Sequence, residues 1–349
     1  MNQIHGGDIE AYRRAYGKDP IDFSANINPL GMPMAARNAA QNALEAAIQY
    51  PDPDCTALCE AIAAHDSVSA GQVLCGNGAA DLIYRFAYAT APQAALVCAP
   101  TFGEYASALT ASGAAVHTHH LREADGFRVT ERILPDLKGI DTLFLCNPNN
   151  PTGLTVAPEL LLTILDTCAG QDTRALLDEC FLDFLDDPAH HTMVPRLRQY
   201  PQLVILKAFT KFYAMPGLRL GYALSADEAL LGRMKAAGAP WSVSTVAQAT
   251  GIAALADRQY IAGTKAWIQS ERAFLQQRLR QMGFAPMGEA NFLLFQATPD
   301  LPAALAAEGI LVRGCQSFEG LDGSWIRIAV RSREENLQLL SRLAACLRG

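Results

Sequence analysis

Short apolar runs, each stopped by a turn rich in glycine, proline or asparagine, recur through the first two thirds of the chain. The runs V-L-C (73–75), A-L-V-C-A (95–99), T-L-F-L-C (142–146), A-L-L-D (175–178) and L-V-I-L (203–206) predict strands, and A-V-H-T-H (115–119) a further short one. Helical spacing predicts helices over 35–48, 56–65 and 158–168, and one or two over 255–282. Farther on, strands are predicted at 290–296, 310–313 and 325–330, before a last helix over 334–347. Residues 1–33, rich in Gly, Asn and Pro, read as a long irregular arm.

Apolar strands alternating with helices imply an α/β fold with a mostly parallel sheet covered on both faces. Ligands of such sheets bind beyond the carboxyl ends of the strands. The polar clusters Gly76 to Asp81, Thr101 to Tyr105, Asn147 to Gly153, Asp178 and Lys211 all fall at those ends. The expected organisation is an arm over 1–33 that covers the site, a large domain over 34–255, and a small α+β domain over 256–349.

Composition narrows the class. The chain has 349 residues, half of them apolar and only 18% charged, which suits large buried elements and a subunit interface. A net charge of −7 and the lack of any long basic run argue against nucleic acid as a partner. No basic-then-apolar leader and no apolar run of membrane length occur, so a cytoplasmic chain is expected, with no membrane partner. Nine cysteines scattered through apolar segments read as reduced, buried thiols. Cys55 and Cys59 lie near His65, but no second pair completes a zinc site, and no metal is expected.

Several residues are candidates for chemistry, each with a plainer alternative. Lys211, after a strand, suits Schiff-base formation once partly deprotonated, and Arg219 beyond a Pro-Gly turn suits a phosphate. Solvated edge residues are the alternative. Asp178 at a strand end fits a protonated pyridine nitrogen; a helix cap or an Arg partner would also satisfy it. G-N-G-A-A-D (76–81), with Gly78, Ala79 and Ala80 at a helix start, resembles an anion nest or an ordinary glycine turn. It lacks the third glycine of a dinucleotide fingerprint and a P-loop lysine. Tyr105 suits ring stacking or simple packing, and Asn150 a hydrogen bond to a phenolate oxygen or an Asn-Pro turn. Arg313 and Arg327, each within a β-like run, fit two substrate anions or internal ion pairs.

Taken in order, D-F-S-A-N-I-N-P-L-G-M-P, Y-P-D, G-N-G, P-T-F-G-E-Y, N-P-N-N-P-T-G, L-D-E-C-F-L-D-F, T-K-F-Y-A-M-P-G-L-R-L-G-Y and W-I-R-I-A-V-R resemble the aspartate-aminotransferase-like, fold-type-I enzymes that use pyridoxal 5'-phosphate (PLP). The blocks span nearly the whole chain. The resemblance implies that Lys211 carries the cofactor, Asp178 partners its ring nitrogen, Asn150 donates to its ring oxygen and Tyr105 stacks on it. It implies phosphate contacts from Ala79, Thr210 and Arg219, an α-carboxylate contact from Arg327, and Tyr50 reaching the other subunit's cofactor phosphate in a homodimer with shared sites.

Within this family the opening H-G-G-D-I, the arm block, P-W-S-V and G-L-D-x-x-W-I-R-I-A-V resemble the threonine-phosphate decarboxylase group of cobalamin synthesis, with the histidinol-phosphate aminotransferases close by. The implied reaction is decarboxylation of L-threonine O-3-phosphate, with His5, Gly6, Asn28 and Arg313 near the substrate phosphate. Phe181 stands where the aminotransferase group has Tyr, and Ala208 where a phosphate-binding Ser or Thr is usual. Transamination of a histidinol-phosphate-like amine with 2-oxoglutarate, decarboxylation of O-phosphoserine, and a silent regulator on this fold are the alternatives.

Overall fold

The computed structural model describes residues 6–347. Among the described residues twelve strands run in chain order: β1 (Ile21–Asp22), β2 (Val73–Gly76), β3 (Ala94–Ala99), β4 (Ala115–His120), β5 (Thr142–Cys146), β6 (Arg174–Asp178), β7 (Leu203–Ala208), β8 (Gly221–Ser225), β9 (Phe292–Gln296), β10 (Ile310–Leu311), β11 (Arg313–Gly314) and β12 (Trp325–Ala329). Seven form one sheet in the order β2-β8-β7-β6-β5-β3-β4. The pairs β3–β4, β3–β5, β5–β6 and β6–β7 are parallel, while β8 runs antiparallel to both β7 and β2. The expected mostly parallel α/β sheet is therefore present.

Alternation within the strands divides the core. Leu143, Leu145, Leu177 and Ile205 face one side, where Ile164 and Leu165 of helix Pro158–Gly170 pack on them. Phe144, Leu176, Val204 and Leu206 face the other, under Leu82 and Phe86 of helix Ala79–Thr90 and Met234 of helix Glu228–Ala236. Each such fully buried side chain contributes roughly 1.5–3 kcal/mol. Burial on both faces explains why these strands read as continuous apolar runs instead of alternating ones.

A second, three-stranded antiparallel sheet has the order β11-β12-β9. The predicted strand over 310–313 divides: Ile310–Leu311 pairs with β1 of the arm, and Arg313–Gly314 pairs with β12, placing Arg313 directly opposite Arg327. The periodic stretch over 255–282 is essentially one helix, Arg258–Gln281, started by Asp257, whose carboxylate accepts from Tyr260 N; a separate helix, Thr245–Ala256, precedes it. Among the described residues no helix is long and apolar enough to cross a membrane.

The arm departs from expectation twice. It contains a helix, Ile9–Tyr16, started by Asp8, whose carboxylate accepts from Ala11 N, and stopped by Gly17 in the left-handed region. A single fully buried residue, Tyr12, ties it down by donating to Ala306 O at 2.6 Å, so the periodic signal was too sparse to mark a helix. Asn28, expected beside the substrate phosphate, is spent on the fold. Its amide nitrogen donates to Phe212 O and Tyr260 Oη, both at 2.8 Å, and to Thr264 Oγ1 at 3.2 Å, while its backbone N donates to Lys211 O. It thus bolts the arm to the Lys211 turn and the long helix.

Asn28→Ala strands buried acceptors, so it should lower unfolding stability by about 1–3 kcal/mol in a denaturant titration. An unchanged midpoint with weakened substrate binding would instead restore the ligand role.

Candidate active site

The carboxyl ends of β3, β5, β6 and β7 and the arm enclose a cavity of about 500 Å³. Lys211, Asp178, Tyr105, Asn150, Thr210, Arg219, Ala79, Ala80, Gly6, Arg313 and Arg327 all line it. These are residues from the large sheet, the small sheet and the arm, so the site exists only when all three are assembled.

Lys211 lies on the turn of helix Phe209–Phe212 that follows β7. Desolvation first, then the positive charges of Arg327 and Arg219, lower its ammonium from 10.5 to about 8. An amine so placed is partly neutral near physiological pH and can attack a carbonyl carbon. Asp178 ends β6 and is only 6% exposed. Its Oδ1 accepts from Cys180 N at 2.9 Å and its Oδ2 from Tyr105 Oη at 2.6 Å. A carboxylate offers about four acceptor positions, so it can still take an N–H donor from the cavity. Burial, then the Asp178 charge, push the Tyr105 phenol well above its ordinary range and keep it a donor. The expectation for Tyr105 is a ring stacked on the cofactor. The structure instead sets its hydroxyl on the Asp178 carboxylate, because a buried anion draws the nearest donor.

The turn before helix Ala79–Thr90 is built for an anion. Gly78 has φ 83° and gives the helix no side-chain cap, leaving the first-turn N–H groups of Ala79 and Ala80 to a ligand. A Cβ at Gly78 would come within 2.5 Å of Arg219 Nη2, and one at Gly221 within 2.6 Å of Ala79 N. Only glycines allow the Arg219 guanidinium and β8 to close on this helix end. Asp81 holds the turn by accepting from Asn77 N at 2.8 Å. Thr210 completes the cavity wall on that side.

Two buried arginines also line the cavity. Arg327, 5% exposed, donates through Nη1 to Asn150 Oδ1 and through Nη2 to Ser24 O at 2.7 Å; its Nε has no partner among the described residues. Desolvation lowers it to about 10. Arg313, 2% exposed, donates through Nη2 to Ser317 Oγ at 2.7 Å and lies 5.3 Å from the Phe318 ring centre. No carboxylate lies within ion-pair distance of Arg327 among the described residues, so a ligand anion is the natural complement.

Gly6 lines the cavity with its Cα so close to the arm that a Cβ would meet Ser24 O at 2.1 Å. His5 falls outside the described residues. Tyr50 is 81% exposed and outside this cavity, its ring 4.7 Å from that of Trp241. Ser24, Asn26 and Ser317 line the site without having been singled out. Asn26, whose Oδ1 is buried without a partner among the described residues, stands two residues from Asn28 in the same block.

The donor set fits PLP: an amine at Lys211 without a partner among the described residues, a carboxylate with spare acceptor capacity at Asp178, and a helix-end cradle with Arg219 and Thr210. Comparison with known proteins points the same way. The chain is 40% identical to the threonine-phosphate decarboxylase of Salmonella typhimurium over 100% of this chain and 98% of that one. It is 30% identical to the histidinol-phosphate aminotransferase of Bacillus velezensis, over 98% of this chain and 96% of that one. The crystal structure of the histidinol-phosphate aminotransferase from Clostridium acetobutylicum superposes with a TM-score of 0.88 at 29% identity, covering 93% of this chain and 98% of that one. With residues 18–343 matching the family model of aminotransferase class I and II, this chain belongs to that family, whose aspartate-aminotransferase-like fold it shares.

Proposed function

We propose that this chain is a PLP-dependent decarboxylase of L-threonine O-3-phosphate, releasing carbon dioxide and 1-amino-2-propanol O-2-phosphate, the linker of the cobalamin nucleotide loop. The observation that carries this reading is the pair of buried arginines. Arg313 and Arg327 are register partners on β11 and β12 and face the same cavity as Lys211. Arg327 has no carboxylate within ion-pair distance among the described residues, and this substrate brings both a carboxylate and a phosphate to the pair. Full-length similarity to the Salmonella decarboxylase supports the same substrate.

When bound, PLP supplies an electron sink for the bond that breaks at the α-carbon. Asp178 would hold the proton on its ring nitrogen, the first-turn amides of Ala79 and Ala80 with Thr210 and Arg219 would hold its phosphate, and Asn150 would face its ring oxygen. Tyr105 would give up Asp178 to the ring N–H and cover the ring. Arg313, with Gly6 and the arm, would grip the substrate phosphate; Arg327 would face the carboxylate. The bond set perpendicular to the ring is the one that breaks, so these grips choose the product. Lys211, near neutrality at about 8, can then return a proton to the α-carbon. Tyr50, exposed beside Trp241, would reach the cofactor phosphate of a second subunit in a homodimer.

A second reading, transamination of a histidinol-phosphate-like amine, is favoured by the close superposition on the Clostridium aminotransferase. Incubation with L-threonine O-3-phosphate and PLP without any keto acid separates the two. Carbon dioxide release is expected; a strict need for 2-oxoglutarate, with glutamate formed, contradicts the decarboxylase.

Because the Lys211 ammonium is lowered to about 8, its neutral fraction rises as pH climbs through that value and not through the ordinary 10.5. The rate at which added PLP becomes fixable to Lys211 by borohydride should therefore rise between neutral and mildly alkaline pH and level off above it. Mass spectrometry of the pyridoxyl peptide reads this, and Lys211→Ala should abolish the label.

A further inference from the structure

A second cavity, of about 480 Å³, lies on the far side of the phosphate-cradling turn and is lined by Cys55, Cys59 and Cys75 together with Arg85, Lys235 and Trp241. Cys59 is on helix Thr56–Asp66, and Cys75 is on β2, one residue before Gly76. Their sulfurs are 3.7 Å apart. Among the described residues no group of three or more His, Cys, Asp or Glu could hold a metal ion, so the cluster is left to thiol chemistry.

We propose that Cys59 and Cys75 form an oxidisable dithiol whose closure to a disulfide, driven by a peroxide, displaces the Gly76–Ala79 turn and loosens the grip on the cofactor phosphate. The chemistry balances. The Cys59 thiolate attacks one peroxide oxygen, the O–O bond breaks, and hydroxide leaves with the thiol proton as water. The Cys59 sulfenic acid is then attacked by the Cys75 sulfur, the S–O bond breaks, and a second water leaves with the Cys75 proton. Two thiols lose two electrons in all, and the peroxide gains them.

The roles follow from the surroundings. The hydrogen bond with Cys75 lowers the Cys59 thiol below its ordinary range, marking it as the attacking sulfur. The contacts with Cys55 and Cys59, then burial, push Cys75 well up, so it acts second, once the sulfenic acid beside it is formed. Forming the bond requires the sulfurs to approach by about 1.6 Å. β2 is the yielding partner, since it is an edge strand paired only with β8. Its end is tightly set: a Cβ at Gly76 would already meet Leu82 and Asp81, and Asp81 is the residue that holds Asn77 N and pairs with Arg85 at 2.8 Å. Motion of Cys75 therefore reaches Gly78 and Ala79 directly.

The test uses the full chain loaded with PLP, treated with hydrogen peroxide, alkylated, digested and weighed. The expected result is a linked peptide pair carrying Cys59 and Cys75, lighter by two hydrogens and reopened by dithiothreitol. Oxidised protein should also lose PLP severalfold faster on dialysis than reduced protein. Cys59→Ser, with Cys59→Ala as a second variant should serine disturb the core, should show neither effect. The proposal is overturned if both thiols stay alkylatable while Cys180 and Cys346 oxidise, or if the link forms and PLP retention is unchanged. Both readouts are independent of which reaction the enzyme catalyses, so failure here is distinguishable from failure of the decarboxylase reading.

Discussion

Parallel pairing is the constraint on which the rest of the structure depends. Strands that run the same way must all release their chains at one edge. Cys146 is therefore level with Asp178, and Asp178 with Leu206. The turns that follow them carry Asn150, Asp178 and Lys211 into one cavity with no further device. Antiparallel β8 starts from the edge where β7 ends, so Arg219, two residues before it, stays there, and Gly221 is pressed against the start of helix Ala79–Thr90. The chemistry is local to the turns; its convergence comes from strand direction.

The site is cationic beyond what the fold needs. Arg313, Arg327, Lys211 and Arg219 all line one cavity and outnumber its carboxylates, Asp178, Glu104 and Glu319. Burying such charges together costs stability: desolvation first, and the neighbouring positive charges after it, lower the ammonium of Lys211 and the guanidinium of Arg327. Ligand anions relieve it. The same burial and cationic surroundings thus activate the lysine and suit a doubly anionic substrate.

Much of this was legible in the sequence, for a physical reason. Doubly covered strands leave unbroken apolar runs, and the glycine, proline and asparagine turns after them are conspicuous, so Asp178, Asn150 and Lys211 could be placed at strand ends. Which side chains meet across long sequence separations was not legible. Asn28 and Asn26 share one block, yet one secures the long helix and the other faces the cavity. The Tyr105 hydroxyl on Asp178 joins residues 73 positions apart. Cys59 read as a packing thiol because its partner, Cys75, sits on another element. The helix Ile9–Tyr16 was missed because one tyrosine carries its burial.

The most direct measurement is a crystal structure of the Lys211→Ala chain, which lacks the returning proton donor, with PLP and L-threonine O-3-phosphate bound. The expected complex has the substrate phosphate on Arg313 and its carboxylate standing out of the ring plane. A carboxylate lying in that plane with the α-hydrogen upright, or a phosphate bound away from Arg313, would contradict decarboxylation as the function of this site.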